Sequence, residues 1–101
     1  HTSNYRRETK HVTTSDGTHI RETHEHSVLT NGQYREIHDR VIGNRIYREI
    51  MLRDSPTSNP NSVVKKVKGM SPNEVNSFLN EHSNLMNTNH NTNDGWQTLQ
   101  H

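Results

Sequence analysis

Four copies of an Arg-Glu phrase, RRET, IRET, YREI and YREI, fall at Arg7-Glu8, Arg21-Glu22, Arg35-Glu36 and Arg48-Glu49, at spacings of 14, 14 and 13 residues. Asp16-Gly17, Asn31-Gly32 and Gly43-Asn44 lie between them. Asn-Gly and Asp-Gly are the strongest short hairpin signals, because a tight two-residue turn needs φ > 0 at its central positions. A strand of about ten residues plus a turn accounts for the period. The repeat therefore predicts a mainly β fold, with a four-stranded antiparallel meander over residues 5–53. If each turn dipeptide closes a two-residue loop, Ser15 faces Thr18, Thr30 faces Gln33 and Ile42 faces Arg45. Alternation along the strands then places Ile37, Val41, Ile46, Ile50 and Leu52 on one face, together with Ile20, Glu22, His24 and His26. The other face is largely charged.

This aliphatic face is lean. The 101 residues are 25% apolar and contain neither Ala nor Cys. Such a composition leaves little surplus of buried apolar surface over the entropy of ordering the chain. The expectation is a small core completed by partner chains. The absence of Cys removes disulfides from the argument, and no apolar run approaches membrane length. The chain begins with His rather than Met, which predicts a piece of a longer protein.

Beyond the meander, residues 54–62 form a linker with two Pro and no apolar residue. Residues 63–86 are expected to hold a short edge strand, SVVKKVK, and one α-helix over residues 72–86. Ser71 is the helix N-cap, Pro72 fits the first helical position, and Glu74 completes a Ser-x-x-Glu capping box. Val75, Phe78, Leu79, Leu85 and Met86 form a narrow apolar stripe, with Phe78 and Leu79 expected to meet the aliphatic sheet face or a partner. Residues 87–101 are Asn/Thr-rich and read as a tail, anchored by Trp96.

The helix phrase KGMSPNEVNSFLNEH resembles the end of the conserved region of the myeloid leukemia factor family, with its N-L-x-x-x-E-x-x-x-F-x-x-E-W pattern. Met70, Glu74, Phe78, Glu81 and His82 fall at those spacings; Gly69 stands for the Asn and His82 for the Trp. Arg21-Glu22-Thr23 and Ile42-Gly43, followed by Ile46, are similar to upstream phrases of the family. The resemblance covers about residues 6–82. It implies a non-enzymatic adaptor, nuclear and cytoplasmic, that works with J-domain and heat-shock chaperones in controlling protein stability and transcription. The competing reading is a structural component of a cytoskeletal assembly such as a cilium or filament, which accounts for order in so lean a chain.

Chemistry-bearing patterns are sparse. There is no Cys nucleophile, no G-x-S-x-G and no Gly-rich phosphate loop, so no catalytic residue and no enzyme activity are expected. The chain holds nine His, and His11, Glu22, His24, His26 and Asp39 are expected to share a face. Imidazole and carboxylate suit first-row metals. No metalloprotease or Cys/His spacing is present, however, and cross-strand hydrogen bonding is the stronger reading: no metal or cofactor is expected.

Net charge is +1, which gives no global case for nucleic acid or membrane. Residues 40–68 hold seven basic and two acidic side chains. Within that segment Arg45, Arg48, Arg53, Lys65, Lys66 and Lys68 form a candidate basic patch. Tyr47 is its only aromatic, too little for a base-stacking platform, so acidic protein tails are the preferred partner. Ser55 and Ser71 each precede Pro and are candidate phosphorylation sites. A phosphate at Ser71 would sit at the positive end of the helix.

Overall fold

The computed structural model describes residues 5–93, with side chains to residue 87. One open antiparallel sheet has its strands in chain order: β1 (Tyr5–Thr13), β2 (His19–Val28), β3 (Tyr34–Ile42), β4 (Arg45–Arg53) and β5 (Ser62–Lys68). A single 3-10 turn, Pro72–Glu74, leads into α1 (Val75–Asn93). The repeat period is thus one strand and its turn.

The turns decide the register. Gly43 has φ +60 and no non-Gly residue among the described residues has positive φ, so only the first central residue of the Gly43-Asn44 loop is left-handed. That is the type II′ choice, and Ile42 faces Arg45 as expected. The first two turns differ. Gly17 donates to the Thr14 carbonyl (3.0 Å) while Thr14 donates to Thr18 (2.9 Å), and Gly32 and Leu29 repeat the pattern. Each is a type I turn followed by a glycine bulge at φ +90 or +88. These three-residue loops slide each pairing by one residue, so that Thr13 faces His19 and Val28 faces Tyr34. Two slips cancel for β1, and β2 alone is turned over relative to the expected faces. Ile20, Glu22, His24 and His26 therefore point to the side opposite Ile37.

The helix packs on that opposite side. Phe78, 1% exposed, clusters with Ile20, Ile42 and Tyr47. Val12, Val67, Met70, Val75, Leu79, Leu85 and Met86 close around the cluster. The sequence places either Phe78 or a partner chain against the Ile37 face. Phe78 packs on the opposite face because Ile20 joins Ile42 and Tyr47 once β2 is turned over, making that face the more apolar at this end of the sheet.

At the helix start the Ser71 N–H donates to Glu74 Oε2 at 2.8 Å, the expected half of the capping box. That bond is the first cause holding the Glu74 carboxyl below its usual range. The helix backbone runs through Asn93 rather than ending at Met86. Asn, Thr and His are weak helix formers but not breakers, and once nucleated each added residue gains a hydrogen bond. Trp96 lies outside the described residues.

Candidate functional site

Because side chains alternate, the sheet presents two surfaces of different character. The helix-covered face carries the core cluster at one end. At the other end it carries a polar field of His24, His26, Glu36, His38 and Arg53. The open face carries Ile37, Val41, Ile46, Ile50 and Leu52, all on β3 and β4. These five share a surface as expected. Val41 is buried, the other four are half-buried, and the face also holds Tyr5 and Val64, 52% and 43% exposed.

The six expected basic residues do not form one patch. Arg48, Lys66 and Lys68 are on the open face, whereas Arg45, Arg53 and Lys65 are on the helix face. Neighbouring strand residues alternate in direction, so a run of basic sequence divides between surfaces. Three of the six are also paired. Arg48 grips Asp39 through two bonds of 2.7 and 2.8 Å. Arg53 donates to Glu36 at 2.9 Å. Arg45 reaches both oxygens of Glu81 on α1, and its guanidinium carbon lies 5.5 Å from the centre of the Phe78 ring.

The open face nevertheless keeps a surplus of positive charge. It carries Arg7, Arg21, Arg35, Arg48, Lys66 and Lys68 against Glu25 and Asp39. Both carboxylates are engaged within the chain, Asp39 by Arg48 and Glu25 by the Tyr5 hydroxyl at 3.0 Å. Arg21, Arg35, Lys66 and Lys68 have no ion pair among the described residues.

On the helix face, His82 is 2% exposed, and its Nε2–H donates to the Arg21 carbonyl at 2.9 Å. It ties α1 to the backbone of β2. Burial pushes the imidazole below the ordinary histidine range; the Arg21 carbonyl and Glu22 oppose that shift without cancelling it. Arg40 and His38 are the other sheet charges that act on it. With the folded pKa depressed, protons bind more readily to the unfolded chain. The contribution of His82 is thus complete above about pH 6.5 and is lost as pH falls below that value. Urea melts at pH 7.5 and 5.5 should give a lower midpoint at 5.5. His82→Gln should shrink that difference, and an unchanged difference would remove His82 as a cause.

Tyr47 is also buried on this face and donates to Glu49 Oε2 at 2.9 Å. Burial, followed by the Glu49 carboxylate, pushes its hydroxyl up to about 12. A groove of about 710 Å³ runs between α1 and the sheet, lined by Lys10, Glu22, Arg40, Leu79, His82 and Met86 among others.

The expected histidine group divides. His11 and Asp39 stay on the open face, while Glu22, His24 and His26 move to the helix face with β2. There His38 Nε2 meets Glu22 Oε2 at 2.7 Å, and the His24 ring stacks on His38 at 4.8 Å. Glu36 was missed in the sequence, because its place beside His24 and His26 depends on the glycine-bulge register. The linker holds Ser55 in a turn in which the Ser55 N–H donates to the Ser58 hydroxyl at 3.0 Å. Ser71 is exposed at the helix start. Among the described residues no helix is long and apolar enough to cross a membrane.

No protein-family model, curated protein or solved structure matches this chain.

Proposed function

We propose that the chain is a non-enzymatic protein-interaction module, and that it binds its partner with the open face of the sheet. The observation that carries this reading is the juxtaposition on one surface of an aliphatic row (Ile37, Val41, Ile46, Ile50, Leu52) with cations that have no ion pair among the described residues (Arg21, Arg35, Lys66, Lys68). The helix occupies the other side, so among the described residues no element packs over the part of this row that the sheet leaves exposed. Apolar surface bordered by charge of one sign is suited to a partner of the opposite sign. The occupant is a protein segment whose apolar side chains are flanked by Asp and Glu. The phrases that resemble myeloid leukemia factors point to the same class, an adaptor working among chaperones and regulatory proteins.

Aliphatic contacts supply affinity and the cations supply steering and orientation. Ile50→Ala should therefore weaken binding to the native partner by at least about tenfold, ~1.4 kcal/mol. The double variant Lys66→Glu, Lys68→Glu should slow association, and its deficit should shrink at high salt. Surface plasmon resonance on the isolated complex separates the two effects. Normal binding by both variants would exclude the open face.

A further inference from the structure

We propose that His24, His26 and Glu36 form a binding site for a divalent first-row transition ion of the zinc class, on the helix face at the end of the sheet away from the core cluster. His24 and His26 are two residues apart on β2, so both imidazoles point to one side. Glu36 on β3 faces His26 directly. Its Oε2 lies 3.3 Å from His26 Nδ1 and 3.7 Å from His24 Nε2, and the three ligand atoms all lie within 4.8 Å of one another. Ligand atoms around a tetrahedral zinc ion, each about 2.0–2.1 Å from the metal, stand about 3.3 Å apart. The three groups thus need only a small rotation to share one ion.

Two further features separate this cluster from an ordinary polar surface. The Nε2 atom of His24 is buried and has no hydrogen-bond partner among the described residues. A buried ring nitrogen aimed at a carboxylate yet bonded to nothing is a ligand atom in waiting. Glu36 is also held in place from behind. Arg53 donates to Oε1 at 2.9 Å and is itself fixed by a 2.6 Å bond to the Ser58 carbonyl of the linker. This leaves Oε2 facing the imidazoles, the role an outer-shell partner plays at metal sites.

The Arg53 charge opposes an ion, whereas Glu36 supplies direct attraction and Glu8, across the strand from His24, adds negative charge. Two His and one carboxylate fit zinc, cobalt, nickel or ferrous ion better than magnesium or calcium, which prefer all-oxygen sets. The three ligands leave a position for water or for a side chain of a bound protein. The ion would clamp β2 to β3 and, through Arg53, tie the linker to the sheet.

The test is a titration of the chelator-treated full chain with Zn²⁺ by calorimetry and with Co²⁺ by visible absorption. One ion per chain is expected, with an affinity in the micromolar range or tighter. His24→Gln, His26→Gln and Glu36→Gln should each weaken it by at least about tenfold. The exposed His11–His19 pair, whose ring nitrogens approach to 3.2 Å, is the competing site, and the double variant His11→Gln, His19→Gln should bind normally. In the unmutated chain, ¹⁵N spectra of the histidine rings should show the largest zinc-induced shifts at His24 Nε2 and His26 Nδ1, which keeps the test independent of how the variants fold. No binding, several equal weak sites, or shifts centred on His11 and His19 would overturn the proposal.

Discussion

Phe78→Ala is expected to cost the chain about 3–5 kcal/mol, the usual range for a fully buried aromatic. The effect is large because the covered core is small. Among the described residues Phe78 and Ile20 are the largest fully buried side chains, and Ile42 and Tyr47 complete their cluster. Truncation opens a void at the point where α1 meets three strands, and it removes the ring beneath the Arg45 guanidinium. A domain of this size is held by only about 5–15 kcal/mol in total. The melting midpoint should fall by more than about 12 °C, and helical circular dichroism should be lost before the strand signal. Phe78→Leu should recover most of the stability. A loss below about 1 kcal/mol in Phe78→Ala would mean that the helix does not dock through this residue.

Gly69→Ala is expected to be the most damaging glycine substitution among the described residues. Gly69 has φ +78, and a Cβ there would collide with the backbone carbonyl of Asn44 and crowd the Arg45 Cα at 3.3 Å. A left-handed backbone costs an ordinary residue about 1–2 kcal/mol, and forced overpacking adds about 1–3 kcal/mol. The obstacle is backbone, so no rotamer change relieves it. It also lies in the Gly43-Asn44 turn that sets the register of β3 against β4. Gly32 is the internal control. It has nearly the same φ, +88, but nothing lies within 4 Å of its Cβ position. Gly32→Ala should therefore lose only the conformational part, and urea melts of the two variants should differ by at least about 1 kcal/mol. Equal losses would show that the close approach of Gly69 to Asn44 is not made in solution.

Much of this fold is written in local turn chemistry. Asp16-Gly17, Asn31-Gly32 and Gly43-Asn44 mark the three tight hairpins, though not the longer β4–β5 connection, and Ser71, Pro72 and Glu74 mark the helix start. Asp-Gly does not, however, reveal how many residues close the loop. The same pair serves a two-residue turn with both residues left-handed and a three-residue turn with only the glycine left-handed. Here Thr14 and Leu29 accept the glycine N–H, and the loops take the longer form. That single-residue difference inverted β2, and with it the expected positions of Ile20, His24, His26 and Phe78. The aliphatic row on β3 and β4 survived because its hairpin is closed by Gly43-Asn44, whose two-residue form was read correctly. The helix end was also illegible: Asn87 to Asn93 lacks both a strong helix former and a breaker, so propagation decided it.

The most direct measurement of the central claim is site-specific photocrosslinking in cells. A photoreactive residue at Lys66 or Arg35 reports on the open face without disturbing the aliphatic row. The same residue at Ser77, exposed on α1, reports on the helix side. Both open-face positions should yield one and the same crosslinked partner, rich in acidic residues at the site of attachment, and Ser77 should yield none. Crosslinks confined to Ser77, with the open-face positions silent, would contradict the central claim and place the interaction surface on the helix.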